Sequence, residues 1–306
     1  MKRPASRKPK TRPMTLDEFE AKFPDEDACK TYLAAIRWPE GPRCPRCFNF
    51  EVYELNTRPY HWQCHKCQEN GYRFSVLVGT IFENTNYDLK SWFKVIYFML
   101  SSKKGMSALQ IQRMMGMGSY RTAWSMCHKV RSAMGHEDFR KLTGFVEVDE
   151  TFVGGKAKNK HRGPGGRGDM GGTGYKGKSI VAGAVQRKGN VIARVIDRVD
   201  GETLSHFVDA TVSTSVSLLS TDEWRGYRKA CAGFPHGVVN HRKDQYVIGA
   251  IHTNTIEGFW SMVKRGIMGT YHEVSKKYLQ LYINEFEWRY NNRENPNMFA
   301  EAIRAC

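Results

Sequence analysis

The sequence has no apolar run long enough to span a membrane and no apolar core typical of a secretion signal. A membrane-spanning helix needs roughly 18 consecutive apolar residues, and no stretch approaches that length. The first residues, MKRPASRKPKTRP, are basic and polar, so residues 1–13 are predicted to form a basic flexible arm. These absences exclude a membrane-spanning protein and predict a cytoplasmic one.

Acidic residues are also scarce relative to basic ones. The chain has 31 Asp and Glu against 47 Lys and Arg, which gives a formal net charge of +16 over 306 residues. Basic side chains gain free energy by displacing counterions from nucleic acid, so a phosphate-rich partner is the main interpretation. An anionic membrane surface is the alternative.

The eight cysteines do not form the regular pattern of a disulfide framework. Four of them form two CxxC pairs, Cys44 with Cys47 and Cys64 with Cys67, separated by a segment rich in strand-forming residues. Four thiolates with no open position are typical of a structural, tetrahedral Zn²⁺ site. We therefore predict a zinc ribbon over residues 41–83, preceded by a short helical segment over 14–40.

Helical periodicity returns over residues 84–140. A short helix, a break of a few residues and a second helix rich in basic side chains are typical of a helix-turn-helix domain. Its predicted DNA contacts are Arg121, Lys129 and Arg131. The alternative is a plain helical hairpin with a solvated basic face.

The remaining residues, 141–306, read as three strands, a helix, a strand, a helix, a strand and a final helical region. This order predicts a ribonuclease-H-like α/β domain, in which helices cover a mixed sheet. A segment rich in glycine and lysine, residues 154–178, lies between the first two strands and is predicted to be an insertion.

Three carboxylates fall on the elements that this topology brings together. Asp149 lies on the first strand and Asp222 at the end of the fourth, and these strands are neighbours at the sheet centre. Glu257 would approach from the last helical region. Carboxylates delivered from separate elements are the ligands that a pair of Mg²⁺ ions requires.

Two other residues are possible substitutes in this site. Strand alternation puts Glu147 on the same side as Asp149, so Glu147 could be a ligand or a supporting neighbour. Asn254 lies on the same helix as Glu257. Lys264, seven positions after Glu257, shares a helical face with it and favours the glutamate.

The segments VEVDETFVGGK, LLSTDEWRGY and HTNTIEGFWSMVKRGIMGTYHEVSKKYLQLYINEFEWRYNNR resemble the three blocks of the ISXO-like DDE transposases. These enzymes of bacterial insertion sequences carry an N-terminal zinc ribbon, so the resemblance covers nearly the whole chain. It implies that Asp149, Asp222 and Glu257 hold two Mg²⁺ or Mn²⁺ ions. With these ions the enzyme would hydrolyse a phosphodiester at an element end and transfer the strand to target DNA.

The resemblance has further implications for partners. Lys264 and Arg265 would contact double-stranded DNA, and joining two element ends implies a homodimer or higher oligomer near the nucleoid. Two other functions fit the same residues less well. One is a non-catalytic sequence-specific DNA-binding protein, and the other is a metal-dependent DNA nuclease without strand transfer.

Overall fold

A computed structural model describes residues 14–67, 70–135, 140–155, 177–239 and 252–306. The predicted basic arm and most of the predicted insertion lie outside these residues. The chain divides into two compact units, residues up to 137 together with 292–306, and residues 138–291. None of the helices in the described ranges combines the length and apolar character that a membrane crossing requires.

The first unit begins with two helices, α1 (Leu16–Lys22) and α2 (Glu26–Arg37). Both begin at a side-chain cap. The Thr15 amide donates to the Glu18 carboxylate at 2.7 Å and the Glu18 amide donates to the Thr15 hydroxyl, which forms a capping box. The Asp25 side chain accepts from the amide of Ala28 and so caps α2.

The ribbon that follows is a three-stranded antiparallel sheet in the order β1-β2-β3. Its strands are β1 (Val52–Leu55), β2 (Arg58–Cys64) and β3 (Tyr72–Ser75). The buried rings of Trp62 and Phe74 stack with centroids 6.0 Å apart, and Trp38 packs edge-on against Trp62. This small core fixes the sheet that carries the cysteines.

Three helices complete the predicted helix-turn-helix region: α3 (Leu89–Ser101), α4 (Ala108–Met115) and α5 (Tyr120–Ala133). Gly116 ends α4 in the left-handed conformation, at φ 62°, which glycine adopts without strain. The turn between α4 and α5 is as short as the sequence predicts, and α5 packs against both α3 and α4.

The last helix, α10 (Met298–Ala305), departs from the predicted domain limits. The sequence interpretation assigned everything up to residue 306 to the α/β domain, whereas residues 292–306 belong to the first unit. The reason is aromatic packing: the Phe299 ring lies 5.5 Å from that of Phe23 and 5.7 Å from that of Phe93. The apolar face of α10 is thus buried against α2 and α3.

The second unit has the predicted ribonuclease-H-like order, which confirms the fold class. Its elements are β4 (Leu142–Val153), β5 (Ser179–Gln186), β6 (Val191–Ile196), α6 (Gly201–Thr211), β7 (Val212–Thr221), α7 (Gly226–Ala230), β8 (His236–Val238), α8 (Asn254–Gly266) and α9 (Leu279–Asn291). A π-helical turn at Ile267–Tyr271 and a 3₁₀ turn at Lys276–Tyr278 join α8 to α9. Asp200 is the N-cap of α6, and its side chain accepts from the Thr203 amide.

The five strands form one mixed sheet in the order β6-β5-β4-β7-β8. β4 is antiparallel to β5 and parallel to β7, so β4 and β7 are neighbours at the centre as predicted. Val146 and Val148 pack into the core on one face, with residues of α6 and α7. The opposite face packs against α8 and α9 through a core that includes Trp260 and Phe286.

Candidate active site and cysteine cluster

The four cysteines of the ribbon converge on one point. The Sγ atoms of Cys44 and Cys67 are 3.8 Å apart and those of Cys47 and Cys64 are 3.6 Å apart. All four sulfurs lie within 4.8 Å of one another. A tetrahedral zinc ion with Zn–S bonds of about 2.3 Å separates its sulfurs by roughly 3.8 Å, so the cluster fits one structural Zn²⁺.

The central strands set the positions of two of the three predicted acids. In the parallel pairing of β4 with β7, Val146 lies opposite Leu219 and Glu147 lies opposite Ser220. Continuing that register brings Asp149 level with Asp222, which follows directly after the end of β7. Asp222 is held in a tight turn, since its Oδ1 accepts from the Trp224 amide at 3.0 Å.

The third acid, Glu257, lies in the first turn of α8 and is exposed. Thr253 occupies the N-cap position of this helix, but its side chain makes no capping hydrogen bond. Instead its hydroxyl donates to Glu257 Oε1 at 2.8 Å. One threonine thereby orients the carboxylate rather than the backbone of the helix.

Neighbouring acids act electrostatically on Asp149. The pKa of Asp149 is raised to about 7, mainly because the side chain is buried. The negative charges of Glu150 and Asp222 add to this shift, and that of Glu257 adds less. Asp222 and Glu257 are therefore near enough to Asp149 to act on its carboxyl group, and a divalent cation would offset this repulsion. Oxygen donors of this kind suit Mg²⁺ and Mn²⁺.

The three acids (the acid group) are less closely gathered than the ribbon cysteines. Within the ranges that the structure describes, the ribbon cysteines form a group of His, Cys, Asp or Glu ligands compact enough to hold a metal ion, and Asp149, Asp222 and Glu257 do not form such a group.

Glu150 is oriented away from the acid group, as strand alternation predicts. Its Oε2 accepts from the hydroxyl of Tyr227 at 2.6 Å, and Tyr227 belongs to the core on the α6 and α7 face. Burial raises the pKa of Glu150 even though the tyrosine bond opposes the shift. The tyrosine is itself fully buried, and burial raises its pKa well above the usual value.

Glu147, which the sequence left as a possible ligand, is fully buried. Its carboxylate accepts four hydrogen bonds, from Arg187 Nε, from the hydroxyl and amide of Thr255, and from the amide of Ile256. Nδ1 of His252 lies 3.0 Å from the same carboxylate, outside hydrogen-bond alignment. The sequence interpretation missed Arg187 and Thr255, because no local motif links them to a residue on β4.

The predicted DNA contacts divide into exposed and buried residues. Lys264 and Arg265 are exposed on α8. Arg121 and Lys129 are exposed on α5 and line a polar cleft of about 350 Å³. Arg131 is only 1 % exposed, with Nη1 3.5 Å from Nδ1 of His128, so the prediction that it contacts DNA is wrong.

Comparison with known proteins agrees with both units. Residues 141–291 match the model of the ISXO2-like transposase domain, and residues 24–70 match the transposase zinc-ribbon domain. The chain is 26 % identical over 282 residues to an uncharacterized protein of Halobacterium salinarum in transposable element ISH50, covering 87 % of this chain and 91 % of that protein. It is 30 % identical over 108 residues to an uncharacterized transposase-like protein of Haemophilus influenzae, covering 35 % and 85 % respectively.

Proposed function

Because this chain belongs to the ISXO2-like transposase family, we propose that it cleaves the ends of a mobile DNA element and joins them to target DNA. Asp149, Asp222 and Glu257 hold the catalytic Mg²⁺ or Mn²⁺ ions. The observation that carries the proposal is the β4–β7 register, which brings Asp149 level with Asp222 at the end of β7. Glu257 approaches this end from the first turn of α8.

The acidic residues of this site would hold the metal ions. When bound, a pair of divalent ions polarises the phosphodiester and activates the attacking water or 3′-hydroxyl. Asp149 and Asp222 supply oxygen ligands from the rigid centre of the sheet, and Glu257 supplies a third from α8. No side chain has to attack the phosphate, because both steps are direct displacements at phosphorus.

Basic residues of both units bind the DNA. Lys264 and Arg265, exposed on the helix that carries Glu257, bind phosphates beside the reacting one. Arg121 and Lys129 contact double-stranded DNA from the helix-turn-helix region, and the zinc ribbon supports that unit. Two ends must be joined, so the active form is a homodimer or higher oligomer acting on chromosomal DNA in the cytoplasm.

The test uses labelled DNA bearing the inverted repeats that flank the gene, a supercoiled target plasmid, and Mg²⁺ or Mn²⁺. We expect cleavage followed by joined product. Asp149→Asn, Asp222→Asn and Glu257→Gln should each lower joining by about a thousandfold or more, the rate equivalent of several kcal/mol of metal-assisted stabilisation. End binding, measured by gel shift, should survive in all three.

Glu202→Gln is the matched control, because it neutralises an exposed acid in the first turn of α6, which packs on the other face of the sheet from α8. It should keep most of the joining activity. Cleaved ends without joined product would make the protein a nuclease, and binding without cleavage would make it a non-catalytic DNA-binding protein. Joining by Glu257→Gln would move the third ligand to another residue, with Asn254 the first to test.

A further inference from the structure

The start of α8 lacks the cap that its own sequence could provide. The first amides of a helix have no partner within it and are usually satisfied by the side chain at the N-cap position. Thr253 occupies that position, but its hydroxyl donates to Glu257. The amides of Thr255 and Ile256 donate instead to Glu147 Oε2, at 2.8 and 3.0 Å.

The cap of α8 is therefore a carboxylate from the central strand. A negative charge at this end of a helix is also favoured by the helix dipole. Glu147 lies two positions before Asp149 on the same face of β4, so one strand carries both the cap of α8 and a predicted metal ligand.

The carboxylate of Glu147 has no capacity left for a metal. Its Oε1 accepts from Arg187 Nε at 2.7 Å and from the Thr255 hydroxyl at 2.8 Å. With the two amides on Oε2, four donors occupy the roughly four lone-pair positions of a carboxylate. The side chain is also completely buried.

Arg187 ties this contact to the rest of the domain. Its Nη2 donates to the carbonyl oxygen of His252 at 2.9 Å, just before α8, and its backbone amide donates to the carbonyl of Phe145 on β4. The ion pair thus links β4, the turn after β5 and the chain that enters α8. A paired charge held by several hydrogen bonds is a rigid connection.

We infer that Glu147 is a positioning residue: it caps α8 from β4 and so fixes where Glu257 stands relative to Asp149. The inference rests on the proposed function, because it assigns Glu147 a part in assembling that metal site. It also answers the question that the sequence left open, since Glu147 supports the ligands instead of joining them.

The deciding variant is Glu147→Gln, which keeps the shape of the side chain but removes its charge and one acceptor oxygen. Mutation of a residue that supports the ligands of a metal site typically lowers metal affinity or activity by about 10- to 100-fold. We expect a rise of that size in the Mg²⁺ concentration for half-maximal joining and in the Mn²⁺ concentration for half-maximal binding, the latter measured by electron paramagnetic resonance. Hydrogen exchange of the amides at 255 and 256 should accelerate in the metal-free protein.

Glu285→Gln is the matched control. Glu285 is another fully buried glutamate in the same unit, ion-paired with Arg289 and hydrogen-bonded by the hydroxyl of Tyr271. Its loss removes a comparable buried charge from α9, away from the first turn of α8. We expect this variant to lower thermal stability while the Mg²⁺ and Mn²⁺ midpoints stay within about twofold of wild type.

The outcomes separate the two proposals. Wild-type protein that neither cleaves nor joins DNA with any metal overturns the proposed function. If the wild type is active and Glu147→Gln leaves the metal midpoints unchanged, the positioning role is overturned. Equal shifts of the metal midpoints in Glu147→Gln and Glu285→Gln overturn it as well. If Glu147→Gln does not fold, Thr255→Val decides: loss of one hydrogen bond should raise the metal midpoints about fivefold, and unchanged midpoints overturn the inference.

Discussion

The cysteine cluster and the acid group are built in opposite ways. Cys44 and Cys67 are 23 positions apart in sequence, and the four sulfurs close to within 4.8 Å. The acids come from β4, from the residue after β7 and from α8. The first arrangement is a compact group of four sulfurs that fits one zinc ion, whereas the second depends on a folded sheet to hold its parts.

The difference is in the role of the metal. The ribbon needs its zinc ion in order to fold, whereas the acid group is positioned by a fold that does not depend on its metal. A ribbon of three short strands has a small apolar core, so metal binding supplies much of its folding free energy. The acid group is carried by a five-stranded sheet with buried cores on both faces. Removing a ligand should therefore damage structure in the first case and function in the second.

The strongest challenge to the comparison is Cys64→Ser. We expect bound zinc, measured by elemental analysis, to fall from one ion per chain to near zero. Hydrogen exchange should show residues 52–75 unfolded, because structural zinc contributes about 10 kcal/mol or more in small domains. Cys29→Ser, a buried cysteine outside the cluster, should keep its zinc. A folded ribbon without zinc in either wild type or Cys64→Ser would contradict the prediction.

A smaller effect is expected at Gly183, which pairs with Asp149 across β4 and β5. An added Cβ would lie 2.5 Å from Cζ2 of Trp260 on α8. Gly183→Ala should cost about 1–3 kcal/mol of unfolding free energy through overpacking and should lower joining, because α8 must shift. Urea unfolding and the joining assay measure the two effects, and bound zinc should remain at one ion per chain.

Gly233→Ala is the control for that substitution, since its added methyl group meets nothing within 4 Å. Its unfolding free energy should stay within about 0.5 kcal/mol of wild type. Wild-type stability and joining in Gly183→Ala would mean that α8 tolerates movement, and the acid group would then depend less on its scaffold than the comparison requires.

The smallest effect is a gain in stability at Gly258, beside Glu257 in α8. An alanine here has open space around its Cβ and forms helix more readily than glycine. Gly258→Ala should raise the unfolding free energy by about 0.5–1 kcal/mol in urea titrations. A lower value would show that the first turn of α8 is crowded or strained in a way that the contacts do not reveal.

The sequence predicted the features that depend on neighbours along the chain. The CxxC spacing predicted the cysteine cluster, and the short break between two helical patterns predicted the turn between α4 and α5. The strand order followed from the sequence of elements, because the fold class leaves few ways to connect them. That order is also what brought Asp149 level with Asp222.

The features that failed or stayed open depend on remote contacts. Arg131 looked like a surface residue because α5 is rich in basic side chains, but it is buried within the first unit. Glu147 could not be assigned, because its donors come from residues 187, 255 and 256. The partner of α10 was equally hidden, since an amphipathic pattern shows that a face is buried and not against what.

The placement of α10 in the first unit has a consequence for synthesis on the ribosome. Translation must produce the whole second unit before it supplies the helix whose Phe299 packs against Phe19, Phe23 and Phe93. Until then these rings lack one of their partners, so the first unit stays incomplete while the second is being made. A nascent chain arrested within the second unit would carry a metal ribbon but expose an aromatic surface for chaperones and proteases to recognise.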